Sequence, residues 1–406
     1  MSTGGGLLPP ELPEEAAPSL AARFELYQRA GGIITPLLTA ALAFFIGGLV
    51  ILFTTGKSPL STYKAIFDGT GLNWFFPWVR GQERFTAGLN LQQTLIITTT
   101  LILVGLAVAF AFRCGLFNIG GQGQYIAGMI AASQVGVAMP DLPHVPHIVL
   151  AAGAGALAGA LWAGIAGILK ATVGAHEVIS TIMLNWTALW IGSYLVGFQG
   201  PLQDPAQESV PVTKEIAPDA KLDVFWGDPI LQGLHIGFFA AIGCLILFWI
   251  VLNRTTLGFE VRAVGFNPEA ARYSGISVGR NYFLAMAISG AFAGLAGGVD
   301  LLGWLFRIDL TSVQVSSQIA FIGIAVALLG RNTAVGIFFS ALLFGALLNG
   351  TSTRNLDPTV FAPELASNLT LIIQGLVVLF VGADVLILSV LSVRRRRRRQ
   401  GEAATE

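Results

Sequence analysis

Residues 91–128 read LQQTLIITTTLILVGLAVAFAFRCGLFNIGGQGQYIAG. The first part is an apolar run long enough to cross a bilayer once. Directly after it come an arginine, an asparagine, two glutamines and five glycines. Each glycine costs a helix about 1 kcal/mol relative to alanine. The pattern therefore predicts a bend or break over 115–128. In lipid, backbone without internal partners is tolerated only against protein or a water-lined cavity. A membrane-embedded helical protein with at least one broken helix follows.

Composition supports that reading along the whole chain. Of 406 residues, 54% are hydrophobic and 11% charged, whereas a soluble domain carries about 25% charged residues. Apolar runs near 20 residues recur, in place of the alternating ten-residue segments of a β-barrel. Ten spans are expected, near 31–54, 90–112, 115–139, 148–170, 179–197, 231–252, 281–305, 313–330, 333–350 and 366–392. A transmembrane domain over 31–392 thus lies between an acidic, Pro-rich tail, 1–30, and a basic tail, 393–406. The N-terminal tail lacks the basic and short apolar regions of a cleaved signal peptide. Zero net charge gives no argument for a nucleic-acid partner, and Cys114 and Cys244 form neither a disulfide framework nor a metal spacing.

Ten spans place both termini on one side. If that side is the cytoplasm, fifteen Lys and Arg fall inside and eight outside, in the sense of the positive-inside rule. The six arginines at 394–399 supply most of that excess. The longest outside loop, 197–229, reads either as a structured segment that meets a partner or as a solvated linker.

The inside loop 255–280 contains NPEAARYSG, 267–275. Asn267 suits an N-cap and Pro268 the first helical position. Glu269 complements the positive end of the helix dipole, and Arg272 lies nearer its negative end. Gly275 suits a left-handed C-terminal cap. Such a rod, roughly 10 Å long, is too short to stand alone, and Ala270 and Ala271 would let another protein approach it closely.

RAVGFNPEAARYSGI, 262–276, resembles the coupling-helix signature of permease subunits in bacterial ABC importers. Arg262, Ala263, Gly265, Asn267, Ala270, Ala271, Gly275 and Ile276 match it. The branch concerned takes up branched-chain amino acids, simple sugars and, in one subgroup, nucleosides. GLFNIGGQGQYIAG at 115–128, HEVISTIMLNWTALWI at 176–191 and GIAVALLGRNTAVGI at 323–337 are similar to segments of the nucleoside-type permeases. The resemblance implies a multi-pass subunit of the bacterial cytoplasmic membrane, embedded in the lipid bilayer. It also implies a second permease subunit, commonly a paralogue, a cytoplasmic ABC ATPase carrying ATP and magnesium, and an extracytoplasmic substrate-binding lipoprotein. No cofactor is expected on this chain itself. The GKS at 56–58 lacks the first glycine of a phosphate loop, since Ile51 occupies its place.

Broken helices near the membrane midplane often build transport sites. Asn118, Gln122 and Gln124 offer donors and acceptors without charge, which suits a neutral, polyhydroxylated or base-bearing solute better than an ion. Asn185 and Trp186 could hydrogen-bond a sugar and stack on a base, and Phe321 is a further stacking candidate. Interhelical hydrogen bonds, core packing and lipid contact are the plainer roles for the same residues. Gly290, Gly294 and Gly298 form a small-residue stripe suited to close helix packing. Among ionisable residues within or beside spans, Glu177, Asp300, Arg331 and Asp384 form no chain of the kind a proton-driven pump needs. An ion-coupled secondary transporter is the alternative from another class, and a simple-sugar permease the alternative within this one. A membrane-embedded enzyme finds no carboxylate, histidine or cysteine constellation.

Overall fold

The structure, a computed structural model, describes residues 41–53, 56, 58–315, 317–352 and 355, with isolated positions 368, 371, 372, 375, 376 and 379. The tail 1–30, the start of the first expected span and the basic tail 393–406 lie outside the described residues. So does the span 366–392, Asp384 included, apart from those isolated positions.

The chain is helical. In order come α1 (Ala41–Phe53), α2 (Pro59–Thr70), α3 (Gly81–Arg113), α4 (Gly121–Ala138), α5 (His144–Val173), α6 (Glu177–Val196) and α7 (Gly237–Arg254). After these come α8 (Thr256–Phe266), α9 (Pro268–Tyr273), α10 (Val278–Asp300), α11 (Leu310–Val315), α12 (Ser317–Leu329) and α13 (Ala334–Gly350). Five are long and apolar enough to cross a membrane: α3, α5, α6, α7, and α10 with the π turn that carries it to Leu305. The apolar α1, α12 and α13 are shorter. Glycines and glutamines dilute the hydropathy of the 18-residue α4. Of the ten expected spans, five are matched by such helices among the described residues, while 366–392 and the start of the first lie largely outside them.

Burial separates centre from periphery. In the most apolar stretch of α3, 83% is buried, and in that of α10, 61%; the corresponding shares in α5, α6 and α7 are 22–28%. The outer helices turn Leu157, Leu161 and Trp190 outward, as a protein does whose solvent is hydrocarbon. The centre closes through small residues. A Cβ on Gly128 of α4 would stand 2.2 Å from the Gly294 carbonyl oxygen of α10, and one on Gly290 2.2 Å from that of Gly159 on α5. Backbones at such separation gain dispersion contacts that larger side chains would prevent. The stripe in α10 is therefore packing.

Two connections bear on the site. Arg331 and Asn332, both with positive φ (51° and 52°), make the turn that divides α12 from α13. At the opposite end, the segment 197–236 is an ordered cover and not a solvated linker. Within it Val224–Trp226 pairs antiparallel with Leu234–His235, and its backbone is tied to the end of α10 through Thr213 N–Ile308 O (2.9 Å), Ile216 N–Phe306 O (2.9 Å) and Leu222 N–Leu302 O (2.8 Å).

Candidate transport core and coupling loop

The break begins where α3 ends. Gly115 takes φ +73°, and residues 116–119 are non-helical before α4 starts at Gly121. Arg113 marks a turn at the end of the molecule: its Nε and Nη2 donate to the Asn332 carbonyl oxygen at 3.2 and 2.6 Å. From there the chain re-enters the bundle. Asn118 reaches Ser289, which donates to the Ala107 carbonyl. Ala107 lies six residues before the end of α3, so Asn118 sits roughly 9 Å inside that end at 1.5 Å per residue.

Non-helical backbone inside a bundle needs partners, and the amides supply them. Asn118 and Gln124 face each other head to tail. Asn118 Nδ2 donates to Gln124 Oε1, and Gln124 Nε2 to Asn118 Oδ1, both at 2.9 Å. Asn118 Oδ1 also accepts from Gly120 N (2.8 Å), while Nδ2 donates to Ser289 Oγ (2.7 Å). Asn185 of α6 bridges the break from the other side. Its Oδ1 accepts from Gly123 N (2.8 Å) and its Nδ2 donates to Ile119 O (2.9 Å). These three amides hold the broken segment in shape. Ser289, the fourth member, stood in the sequence as an ordinary helical serine, with no local signal of its partner.

Gln122 differs. No side-chain hydrogen bond engages it among the described residues, and 8% of it is exposed. Its neighbours fix its direction. Gly121 faces Ala320 of α12, and Gly123 faces Leu184 and Ala188 of α6. At 100° per residue, Gln122 points between α6 and α12. Trp186 follows Asn185 on α6, and Phe321 follows Ala320 on α12, the two helices that flank that direction. Both are open, at 55% and 64% exposure. Gln122 thus points toward the gap between α6 and α12, and each of those two helices carries an exposed aromatic residue, Trp186 and Phe321.

The ionisable residues are placed differently. Asp300 is buried; its carboxylate accepts from Thr100 Oγ1 (2.5 Å) and the Tyr125 hydroxyl (2.7 Å), tying α10 to α3 and α4. Glu177 pairs with Lys170 at 2.8 Å across the α5–α6 turn.

The loop 255–280 folds into two helices. Thr255 caps α8, its Oγ1 accepting from Gly258 N. α9 then forms from the predicted signals. Asn267 Oδ1 accepts from Glu269 N (3.0 Å) and Ala270 N (3.1 Å), and Pro268 opens the first turn. Gly275 at φ +82° closes it, with Ile276 N bonded to Ala271 O and Gly275 N to Arg272 O, both at 3.0 Å, the paired bonds of a left-handed cap. Ala271 turns inward, Ala270 outward. Glu269 and Arg272 are exposed, and Phe266 and Tyr273 nearly fully so, at 95% and 92%. Sequence reading passed over these two rings because nothing near them in the chain shows which way they face. Arg262 on α8 returns toward the end of α3, where it shares a cleft with Arg113.

Residues 90–382 match the family described as branched-chain amino acid transport system / permease component. The guanosine ABC transporter permease protein NupP of Bacillus subtilis is 37% identical over 368 residues, 88% of this chain and 95% of that protein. The nucleoside ABC transporter permease protein NupB of Lactococcus lactis is 34% identical, covering 83% and 88%. The glucose ABC transporter permease protein TsgB13 of Haloferax volcanii is 33% identical, covering 86% of each. No solved structure matches. With its matched region running from within α3 to beyond α13, this multi-pass membrane chain belongs to the family of permease components of branched-chain amino acid transport systems.

Proposed function

We infer that the chain is a permease subunit of an ATP-driven ABC importer and that it moves nucleosides into the cell by alternating access. The observation that carries the reading is the similarity to the guanosine and nucleoside permeases over more than four-fifths of the chain. In this reading Gln122, Trp186 and Phe321 border a groove between α6 and α12 that takes the solute. A neutral amide suits a sugar or base edge, and aromatic walls suit a planar base. In this reading a second permease subunit, a paralogue, closes the groove, and Asn118, Gln124 and Asn185 hold its floor.

The end that carries Arg113, α8, α9 and the 330–333 turn faces the cytoplasm. There Asn267, Pro268, Glu269, Ala270 and Gly275 shape α9, while Ala271 and Arg262 seat it against the bundle. Phe266 and Tyr273 offer the anchoring rings of a docking surface for a partner ATPase, which supplies ATP hydrolysis with magnesium. The ordered segment 197–236 faces outward, toward a substrate-binding lipoprotein.

The glucose permease among the relatives keeps a simple sugar as the second reading. The test is uptake by the complete transporter in proteoliposomes. Uridine or adenosine uptake that needs ATP, competed by nucleosides but not by ribose or glucose, is expected. Competition by the sugars alone would move the assignment to sugar transport. Uptake by this chain without its ATPase, abolished by an ionophore, would replace the importer with a secondary transporter.

A further inference from the structure

A cleft of ≈ 290 Å³ opens between α7, α8 and the start of α13. Two guanidinium groups, Arg113 and Arg262, line it, and among the described residues no carboxylate does. No ion pair engages either arginine among the described residues. The one acid on α8, Glu260, is turned to α10, where Asn281 donates to it at 3.0 Å. Like charges drawn together without a counter-ion call for an anion from outside.

The cleft has donors to spare. Of the five N–H donors on a guanidinium, Arg113 uses two on the Asn332 carbonyl and Arg262 one, its Nε, on Gly258 O. Ala334 and Val335, in the first turn of the 17-residue α13, form another wall, so the positive end of a helix dipole adds to the field. Asn332 Oδ1 is buried with no partner among the described residues, an acceptor free for a hydroxyl.

The remaining wall is apolar and belongs to a membrane-crossing helix: Phe248, Trp249 and Leu252 of α7. Trp249 is about half exposed and Val335 is 70% exposed. Arg254 lies over the Trp249 ring, 5.5 Å from its centroid, adding a third cation at the rim. An aromatic–arginine rim beside a basic pocket between membrane helices is the setting in which lipid head groups bind.

We propose that this cleft is a binding site for an anionic phospholipid, whose head-group phosphate is held between Arg113 and Arg262 while an acyl chain lies along Phe248, Trp249 and Leu252. Arginine forks match phosphate oxygens in pairs. A head-group hydroxyl, as in phosphatidylglycerol, meets Asn332. The lipid joins the end of α3, the α8 segment that leads into α9, and the α12–α13 turn, the parts that must move together when the loop is pushed. The site requires a bilayer and is independent of the solute carried.

The test is native mass spectrometry of the complete transporter released from nanodiscs of phosphatidylglycerol and phosphatidylcholine. The wild type is expected to retain phosphatidylglycerol preferentially. Arg113→Gln and Arg262→Gln should each lower that retention about ten-fold, the scale of one lost charge-assisted contact. Val335→Trp, which fills the mouth and leaves both charges, should lower it too. Arg280→Gln, at the start of α10 and outside the cleft, should leave it unchanged. Equal retention in wild type and all three cleft variants overturns the proposal. Displacement of the lipid by millimolar inorganic phosphate overturns it in favour of a free anion. Stronger retention once the ATPase is stripped away overturns it in favour of an acidic protein side chain. Because lipid retention is read without solute, failure here leaves the transport assignment standing, and failed nucleoside uptake leaves this site standing.

Discussion

Gly265, the penultimate residue of α8, lies so close to the carbonyl oxygen of Arg113 that a Cβ built on it would stand 2.3 Å away. The loop that carries α9 therefore rests directly on the turn that begins the broken helix. Motion of the loop reaches the re-entrant segment without an intervening side chain. Gly265→Ala forces the two backbones apart, because Cys114 C and Gly115 N also stand 2.9 Å from the added atom. Overpacking of this kind costs about 1–3 kcal/mol. The expected result is an inserted subunit whose transporter hydrolyses ATP while nucleoside uptake falls by roughly an order of magnitude or more, the factor that 1.4 kcal/mol represents. Paired ATPase and uptake assays on one proteoliposome preparation check it.

Both partners of this contact lie in stretches that the sequence singled out, yet the contact itself was not legible. Caps are local: Asn267, Pro268 and Gly275 announce α9 within nine residues, and the structure forms it there. The break at 115–120 was legible for the same reason, since glycine acts on its own backbone. What an amide bonds to is decided by a chain far away. Ser289 is 171 residues from Asn118 and Asn185 is 62 from Gly123. Composition could say that polar groups lie inside the bundle, but not that three of the four amides are spent on one another and on the backbone. α8 escaped notice because it is short and carries two glycines, Gly258 and Gly265.

The Asn118–Gln124 pair should behave as one structural unit. Removing either amide leaves the other buried and half-satisfied, at a cost of about 1–3 kcal/mol. Asn118→Ala and Gln124→Ala are each expected to lower the thermal midpoint of the detergent-solubilised protein. The double variant should lose less than the sum of the two, with a coupling of about 0.5–3 kcal/mol. Additive losses in the double-mutant cycle would show that the reciprocal pair does not hold the break.

Asp300 is a buried carboxylate whose acceptors are both used, by Thr100 and Tyr125. Asp300→Ala leaves both hydroxyls without that partner and opens space at the end of α10. The expected loss is about 1–3 kcal/mol for each buried hydroxyl left unpaired. Asp300→Asn keeps the shape and one acceptor, so it should lose less. Thermal unfolding of the three proteins in the same detergent ranks them, and equal midpoints for the alanine variant and the wild type would remove Asp300 from the core.

Removing the cap of α9 should weaken coupling without disturbing insertion. Asn267→Ala deprives Glu269 N and Ala270 N of their acceptor, at about 0.5–2 kcal/mol. Gly275→Pro is harsher, because Gly275 holds φ +82° and donates its N–H to Arg272 O, neither of which proline allows. Hydrogen exchange should quicken over 268–273 in both variants while the amides of α10 keep their protection. ATPase stimulation by loaded binding protein should fall in the same order, wild type above Asn267→Ala above Gly275→Pro. Charge reversal at the exposed Glu269 should impair stimulation with little change in exchange, because its side chain makes no hydrogen bond among the described residues.

The groove between α6 and α12 separates the nucleoside reading from the sugar reading. If a base stacks there, Trp186→Ala and Phe321→Ala each remove an aromatic face worth about 0.5–1.5 kcal/mol beyond area burial, and both rings are exposed enough to be cut without collapse of the core. Uptake of adenosine should then weaken by roughly three- to ten-fold per ring, on the scale of 1.4 kcal/mol per factor of ten. Trp186→Phe should recover much of the loss, since it restores a ring. Gln122→Leu removes the one amide at the floor that the protein does not itself engage, so it should weaken uptake while leaving the thermal midpoint near that of the wild type. Asn185→Leu offers the contrast. It strips Gly123 N and Ile119 O of their partners and should lower stability and uptake together. Loss of stability in Gln122→Leu with unchanged transport would assign that amide to the scaffold and take the groove out of the pathway.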